Sequence, residues 1–399
     1  MPIKAAKAER IRKMQTEILK EYADLALKPP VIRSPVPKRY WPEMDRYTMS
    51  CGFTRTPGGR IWLAWFGIED GAGAVLLMKH SDDEGESWSD PEFLIDPGFT
   101  PSGIHISALV GNVWTEPSGR LRVFFTQSIG YFDGRAGCWS AVCENPDAEK
   151  PVWSRPVRIW HGAGLNKPTI LSSGEWLLPL SLWPRRLICA LPGKFPSGVV
   201  EDSLYAELDE FRGANVLSSS DGGKSWELRG RQKATDALFD ENMILEKKDG
   251  SLKMYARDSF GIVSCVSSDG GKSWSVFERE FYAASARFFL RALPSGNWLM
   301  VRLDSPAERR ANLTAFLSRD EGKSWKESLV LDPGENVSYP DGFLHPDGRI
   351  FIQYDHLREH GEILMAVFTE EDVAAGKNVS GKMLLRKPIL QSADLLPDS

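Results

Sequence analysis

Cysteine is scarce in this sequence and is not clustered. The 399 residues contain five cysteines, an odd number, with no Cys-x-x-Cys pair. A disulfide framework uses an even, closely spaced set, and a structural zinc site uses paired cysteines. We therefore expect reduced and mostly buried thiols.

Long apolar runs are also missing. No segment reaches the ~18 to 20 apolar residues that a membrane-spanning helix needs. The N-terminus, rich in Lys, Arg and Glu, lacks the apolar centre of a secretory signal. The sequence as written predicts a cytoplasmic protein without a membrane partner; a secreted or periplasmic protein would require a truncated start.

Positive charge is not in excess. The chain has 49 Lys and Arg against 54 Asp and Glu, a net charge of −5. Such a chain has no general positive field to hold a polyanion, so nucleic acid is not an expected partner. Any anion must be recognised by a local group of basic side chains.

Aromatic residues and turn formers are abundant instead, with 14 Trp, 35 Gly and 26 Pro. From residue 45 onward, short apolar runs alternate with glycine-containing turns. Examples of the runs are RIWLAWF, RLRVFF, EWLLPLSLW, NWLMVRL and RIFIQYD. Runs of this length and composition, bounded by such turns, are typical of β-strands. The pattern predicts one all-β domain over residues 45–395.

The segment 1–28 has a helical pattern, with apolar side chains at three- and four-residue steps. These are Ile11, Met14, Ile18, Tyr22 and Leu25. Four prolines then end the predicted amphipathic helix and make 29–44 an extended linker. The apolar stripe is expected to pack on the main domain or on a second copy of the chain, which would form a homodimer.

One octet pattern, Ser-x-Asp-x-Gly-x-x-Trp, occurs four times, at 81–88, 219–226, 267–274 and 318–325. The last three copies begin 48 and 51 residues apart, which fits one four-stranded propeller blade. A degenerate copy ends at Trp153, within the longer gap. In such an octet Asp accepts backbone N–H bonds, Gly supplies a positive φ and Trp packs into the layer beneath. The octets therefore predict hairpins.

The octet resembles the Asp-box, or BNR, repeat of the sialidase-type β-propellers, and the resemblance covers roughly residues 45–390. It implies an all-β, six-bladed β-propeller of four-stranded blades with Asp-box hairpins, preceded by the short N-terminal helix. Seven blades are the alternative. In that superfamily the repeats lie on the outer edge of the blades, away from the ligand, so the octets predict the fold rather than the function.

The resemblance also implies a set of catalytic residues. Sialidases pair a glutamate with an arginine across an apolar strand, an Asp-Gly turn and a second strand, and Glu241 and Arg257 are spaced in this way. A further arginine precedes an octet, as Arg310 does, and a tyrosine follows that octet, as Tyr339 does. The catalytic aspartate follows the first inner strand and precedes the first octet, which is the position of Asp70.

Elementary chemistry explains why these residues would serve one reaction. Three guanidiniums that meet at one point bind a carboxylate through bidentate, permanently charged hydrogen bonds. A carboxylate on the anomeric carbon would repel an Asp or Glu nucleophile, so a neutral phenol is the better attacker. The implied roles are Tyr339 as nucleophile, Glu241 as its base and Asp70 as acid and base.

The third arginine has no direct counterpart in the sequence. Sialidases carry it in an Arg-Ile-Pro motif before the first inner strand, where this chain has Arg46 followed by Tyr-Thr. Arg46 is the candidate for the third guanidinium of this carboxylate clamp, in which Arg257 and Arg310 would be the other two, and Arg287 is the alternative candidate. His105 and Lys167, in loops before inner-strand-like segments, are further candidates for contact with the sugar.

The segment 354–360 contains several groups that could bind a metal. His356 and His360 would need a helix to meet at their four-residue spacing, whereas the preceding FIQYD is strand-like. A salt-linked loop is therefore the favoured interpretation. No Walker loop or dinucleotide fingerprint is present, and the implied mechanism requires no cofactor and no metal.

These features predict an exo-glycosidase of sialidase type that releases a terminal carboxylate-bearing sugar from a glycan with retention of configuration. One alternative is a propeller rhamnosidase or uronate lyase acting on acidic polysaccharide fragments, with His105 in acid–base work. The other is a non-catalytic glycan-binding propeller. In that case Glu241→Gln and Tyr339→Phe would leave ligand affinity intact, and no glycan would be turned over.

Overall fold

Six antiparallel sheets succeed one another along the described part of the computed structural model, which comprises residues 2–191, 200–234, 237, 239–392 and 395. Each sheet forms one blade around a common axis and, apart from an added edge strand in the first blade, pairs its strands in chain order. The innermost strand of the first blade contacts those of the second and the last blades, which closes the ring. The prediction of an all-β, six-bladed propeller is confirmed.

The strands and the two α-helices have the following bounds. Blades one to three comprise β1 (Ile32–Arg33), β2 (Met49–Arg55), β3 (Ile61–Gly67), β4 (Val75–Ser81) and β5 (Phe93–Ile95); β6 (Ile106–Thr115), β7 (Leu121–Ile129), β8 (Gly137–Cys143) and β9 (Val157–Trp160); and β10 (Thr169–Ile170), β11 (Trp176–Leu182), β12 (Gly213–Ser219) and β13 (Glu227–Gln232). Blades four to six comprise β14 (Asp240–Glu246), β15 (Leu252–Asp258), β16 (Gly261–Ser267) and β17 (Glu278–Tyr282); β18 (Phe289–Ala292), β19 (Trp298–Leu303), β20 (Ala311–Ser318) and β21 (Glu327–Glu335); and β22 (Val337–Leu344), β23 (Arg349–His356), β24 (Glu362–Thr369) and β25 (Leu384–Gln391). The helices are α1 (Pro2–Tyr22) and α2 (Glu370–Ala375), and short 3-10 helices span Ala23–Leu27, Lys38–Tyr40, Arg185–Leu187 and Ala206–Phe211.

The second strands, counted outward from the axis, are largely buried because neighbouring blades cover both sides. All residues of β3, β7 and β11 are buried, which explains the continuous apolar runs in the sequence. The first blade has a fifth strand, because β1 pairs with β5. Part of the predicted linker is thus the outer edge of the first blade.

Helix α1 packs on the propeller with a face that only partly matches the predicted stripe, of which Ile18 and Leu25 lie partly buried against the core. Together with the following 3-10 turn, it buries Gln15, Thr16, Leu19, Ala23 and Ala26. Met14 is 40% exposed, so its place in the stripe was wrong. Two polar side chains lie in the seam instead: Gln15 Oε1 accepts from Ala190 N, and Thr16 Oγ1 accepts from Glu201 N. A homodimer through this helix stays a prediction.

The four octets form the turns between the third and fourth strands of blades one, three, four and five. In the second copy, Ser219 Oγ accepts from Gly223 N at 2.8 Å and donates to Asp221 Oδ1 at 2.8 Å. Asp221 in turn accepts from Ser225 N and Oγ, at 3.0 and 2.6 Å. In the last blade, α2 lies between β24 and β25, with Thr369 forming a capping box with Asp372. Among the described residues, no helix is long and apolar enough to span a membrane.

Candidate active site

β-Bulges interrupt the inner strands of four blades, and three of them, in the second, fourth and sixth blades, contain a residue with a left-handed backbone. Pairing shifts between Leu109 and Gly111, between Asp240 and Met243, and between Ser338 and Asp341. Bulges locally re-aim side chains and are frequent beside active sites.

The residues within these bulges are not glycines, although their backbones are left-handed. Val110, Glu241 and Tyr339 have φ of 42°, 44° and 55°. Such backbones cost about 1 to 3 kcal/mol each for a residue with a side chain, and they persist where the surrounding structure holds them. All three residues line one cavity.

This central cavity has a volume of about 320 Å³ and lies at the end of the axis where the inner strands begin. Its lining residues are Met49, Asp70, Val110, Tyr131, Trp183, Phe239, Glu241, Arg257, Arg310, Tyr339, Arg358 and Glu359. The octets follow the third strands, which run parallel to the inner ones, so they lie at the opposite end. Five of the residues singled out in the sequence therefore share this cavity: Asp70, Glu241, Arg257, Arg310 and Tyr339.

Tyr339, Glu241 and Arg257 form a closely bonded and buried group in the cavity. Tyr339 Oη donates to Glu241 Oε1 at 2.7 Å. Arg257 Nη1 donates to the same carboxylate oxygen at 3.0 Å and to Tyr339 Oη at 3.1 Å. Glu241 Oε2 is buried without a hydrogen-bond partner among the described residues.

The electrostatics of Tyr339 oppose ionisation at rest. Burial, with the negative charge of Glu241, raises the pKa of Tyr339 to about 12, although nearby arginines act in the other direction. Burial alone would lower the pKa of Arg257, but its pKa is raised because Glu241 and Tyr339 stabilise its charge. The phenol is thus neutral near pH 7 and needs a base to become a nucleophile.

Two further guanidiniums stand beside the phenol ring. The Cζ atoms of Arg310 and Arg358 lie 5.7 and 4.7 Å from the centre of the Tyr339 ring. Arg310 donates to Ser285 O at 3.1 Å, and Arg358 pairs with the buried carboxylate of Asp355 at 3.3 Å. Burial and the charge of Arg358 lower the pKa of Arg310. These half-buried positive charges suit an anionic group.

The structure places Arg46 outside the cavity, and Arg358 supplies the third guanidinium. Asp45 and Tyr47 face inward, since Asp45 accepts from the Tyr47 and Ile68 N–H groups. The intervening Arg46 is exposed and does not line the cavity. The expectation that Arg46 lies in the clamp is corrected accordingly.

Arg287, the rival for this position, is also absent from the cavity lining. Its side chain is 1% exposed and donates to Asn166 Oδ1, Cys51 O and Asp341 Oδ1 at 2.8 to 3.0 Å. It ties inner strands of different blades together along the axis.

Lys167 and His105 do not line the cavity either. Lys167 Nζ donates to Asp341 Oδ2 and to two backbone carbonyls, at 2.5 to 2.7 Å, which occupies its three N–H donors. His105 lies behind the loop that carries Asp70, with Nδ1 2.9 Å from Ala72 O. The expected direct contact of these two residues with the sugar is corrected to contacts within the scaffold.

Asp70 reaches the cavity from the loop between β3 and β4. Its Oδ2 is 3.8 Å from Arg358 Nη1, and its side chain is 21% exposed. It is the most accessible of the three predicted catalytic groups. Such a position suits a group that must meet a leaving group or water from outside.

Sequence reasoning missed the aromatic wall of the cavity. The rings of Tyr131 and Trp183 stack at 5.6 Å, and Phe239 meets Trp183 edge-on at 5.2 Å. A signal for five of the twelve lining residues lies at the ends of the second strands. Asp70, Tyr131, Trp183, Arg257 and Arg358 lie at or just beyond the end of such a strand. These ends meet around the axis at the same face.

The His356 segment is a salt-linked turn. His356 Nδ1 lies 3.1 Å from Glu362 Oε1, while His360 lies two residues beyond Arg358. Among the described residues, no group of three or more His, Cys, Asp or Glu side chains is arranged to hold a metal.

The fold and this cavity define the class as a sialidase-type β-propeller. A family model described as BNR repeat-like domain matches residues 59–352, and the chain belongs to that family. Among solved structures, the chain is similar to a Hadza microbial sialidase, with 16% identity and a TM-score of 0.63 over 82% of this chain and 66% of that one.

Two other solved propellers match almost over their whole length. The intramolecular trans-sialidase from Ruminococcus gnavus, in complex with oseltamivir carboxylate, is 13% identical with a TM-score of 0.59, over 86% of this chain and 98% of that one. An α-L-arabinofuranosidase from Fusarium graminearum, in complex with an iminosugar inhibitor, is 10% identical with a TM-score of 0.55, over 87% and 99%. At these identities the likeness shows a shared fold.

Proposed function

We propose that this protein is an exo-glycosidase of sialidase type that hydrolyses a terminal carboxylate-bearing sugar from a glycan, with retention of configuration. Three guanidiniums, the buried one of Arg257 and the half-buried ones of Arg310 and Arg358, support an anionic substrate. A cavity of about 320 Å³ closed on one side by aromatic rings suits one sugar ring rather than the middle of a polymer.

The observation that carries this proposal is the position of the Tyr339 hydroxyl between the Glu241 carboxylate and the Arg257 guanidinium. A base and a cation on one phenol are what a tyrosine nucleophile needs. The proton has an acceptor at 2.7 Å, and the developing phenolate has a positive partner at 3.1 Å.

In the first step, Tyr339 Oη attacks the anomeric carbon and passes its proton to Glu241. The bond from that carbon to the leaving oxygen breaks as Asp70 donates a proton to this oxygen. Arg310 and Arg358 hold the substrate carboxylate, so that the negative charge of Glu241 is separated from it by cations. A covalent glycosyl–tyrosine results.

In the second step, Asp70 takes a proton from water, and the water oxygen attacks the anomeric carbon. The bond to Tyr339 Oη breaks, and the phenolate recovers its proton from Glu241. Two inversions give net retention, and every residue returns to its starting state.

The test is release of a monosaccharide from a panel of sialosides and uronate-containing oligosaccharides, detected by mass, with Glu241→Gln as the matched variant. We expect a saturated acidic sugar from the wild-type protein and a rate lower by about 10² to 10⁴ in the variant. Release of an unsaturated uronate would show a lyase, and release of neutral sugars alone would contradict the role of the arginines. Binding without turnover in both proteins would favour a glycan-binding propeller.

A further inference from the structure

His105 connects the loop of Asp70 to a buried carboxylate. Nδ1 of its ring lies 2.9 Å from Ala72 O, two residues after Asp70, and Nε2 lies 3.0 Å from Asp96 Oδ1. The side chain is only 11% exposed and that of Asp96 only 6%. The ring of Phe99 lies 4.8 Å from the imidazole centre on the outer side.

The two partners of the ring fix its protonation state. A backbone carbonyl oxygen only accepts hydrogen bonds, and so does an ionised carboxylate. A neutral imidazole has one N–H and can satisfy only one of these partners. With both distances near 3 Å, each ring nitrogen faces an acceptor, and only an imidazolium donates to both.

Asp96 is ionised and firmly held. Tyr40 Oη donates to its Oδ2 at 2.6 Å, and Gly98 N donates to its Oδ1 at 3.0 Å. Burial alone would raise the pKa of Asp96, but the hydrogen bonds from His105 and Tyr40 bring it well below its usual range. The imidazolium therefore has a fixed anionic anchor.

The loop that carries Asp70 is also held at its ends, and at the far end Ala74 O accepts a hydrogen bond from Ala108 N at 2.9 Å. It runs from residue 68 to residue 74 and contains Gly71 and Gly73. Its start is held by Asp45, whose Oδ2 accepts from Ile68 N at 2.7 Å. Gly73 N binds Glu69 within the loop itself. The bond from His105 to Ala72 O fastens the loop just beyond Asp70.

We propose that His105 is a positioning residue, which as an imidazolium between Asp96 and Ala72 O holds the loop so that Asp70 faces the leaving oxygen. This inference rests on the proposed function, because it takes Asp70 as the proton donor. Loss of His105 would then slow the step that needs the donor and leave sugar binding largely unchanged.

The first experiment compares two glycosides of the same acidic sugar, with phenol and with 4-nitrophenol as leaving groups. Phenol needs protonation to depart and 4-nitrophenol needs it much less. We expect His105→Ala to lower kcat on the phenyl glycoside about tenfold more than on the nitrophenyl glycoside, with little change in KM. His105→Gln, which restores one donor, should recover part of the loss. His161→Ala, at a half-buried histidine that contacts Arg158, is the control and should leave kcat unchanged on both glycosides.

Asp70→Asn in the same assay separates the two proposals. If it shows the leaving-group dependence and His105→Ala does not, the positioning role is wrong and the proposed acid stands. If Asp70→Asn shows no leaving-group dependence, the proposed function is wrong in taking Asp70 as the proton donor. Nitrogen NMR of the His105 ring gives a readout that needs no turnover: both ring nitrogens carry protons at pH 7 in our account, and a neutral tautomer would overturn it.

Discussion

Tyr339 donates a 2.7 Å hydrogen bond to Glu241, although the two residues lie 98 positions apart in the chain. They come from the inner strands of the fourth and sixth blades, and both occupy left-handed backbone positions. Neither strand could present its residue in this way with regular pairing, because the bulge redirects the side chain. Closure of the ring thus assembles a base and a phenol that the sequence keeps apart.

Tyr339→Phe should remove hydrolysis while sparing binding. The ring keeps its packing and its contact with Arg358, but the attacking oxygen is gone. We expect kcat to fall by about 10³-fold or more, with the affinity for the acidic product changed only slightly. Tyr282→Phe, at a side chain 82% exposed on β17, is the control and should retain full activity. A variant at Tyr339 with more than a tenth of the wild-type kcat would contradict the nucleophile assignment.

Arg358→Met should weaken recognition of the substrate carboxylate. A charged hydrogen bond is worth about 1.5 to 3 kcal/mol, so KM should rise about 10- to 100-fold for the acidic glycoside and much less for its methyl ester. Arg46→Met should leave KM unchanged for both the acidic glycoside and its methyl ester, since Arg46 is exposed outside the cavity.

Thermal unfolding of both arginine variants accompanies this assay, because Arg358 also neutralises the buried Asp355. The ratio of the KM values for the acidic glycoside and its methyl ester does not change when a fraction of the protein is unfolded. The reverse result, in which Arg46→Met raises KM and Arg358→Met leaves it unchanged, would restore Arg46 as the third carboxylate-binding arginine.

Lys79 should make stability depend on pH above neutrality. It is buried on β4, with Nζ donating to Ile389 O and lying 5.2 Å from the Trp88 ring. Burial lowers the pKa of Lys79 from 10.5 to about 7. Between these values the unfolded state binds more protons than the folded state, so the free energy of unfolding rises with pH.

Below pH 7 the lysine is protonated in both states, and the cost of burying its charge is fully present. Urea unfolding at pH 7, 8 and 9 should show that the free energy of unfolding of the wild-type protein rises with pH more steeply than that of Lys79→Met. The difference between the two slopes should be at most about 1.4 kcal/mol per pH unit. Parallel profiles for the two proteins would show that Lys79 keeps an ordinary pKa.

Ser267→Ala should lower stability without affecting catalysis. Ser267 is buried in the third octet, where its hydroxyl donates to Asp269 and accepts from Gly271 N. Loss of these bonds should reduce the free energy of unfolding by about 1 kcal/mol. Ser251→Ala, in an exposed turn where the hydroxyl binds Asp249, should have a smaller effect. A fall in kcat of the Ser267 variant would argue against a purely structural octet.

The propeller could be predicted from the sequence because its signals are local and repeated. An octet such as 219–226 contains the whole hydrogen-bonding turn within its own span, and the apolar runs reflect strands covered on both sides. The last blade has no such octet, and its helix, Glu370–Ala375, was not foreseen.

The candidate site was only partly predictable. Glu241 and Arg257 face each other across one hairpin, so their spacing is itself a structural signal. Arg358 lies just beyond β23, which pairs with the strand of Tyr339 in the last blade, but it stands in a run of charged residues that does not single it out. Likewise, nothing local to His105 reveals that its partners are Asp96 and a backbone carbonyl in the loop that carries Asp70.

The most direct test of the account is to trap the covalent intermediate. A ring-fluorinated, activated derivative of the acidic sugar that the protein cleaves would slow the second step more than the first, and mass spectrometry of the digested protein would locate the adduct. We expect one sugar per chain, attached to the peptide that contains Tyr339, and no adduct in Tyr339→Phe. An adduct on Asp70 or Glu241, or turnover of the derivative by Tyr339→Phe at the wild-type rate, would contradict the account.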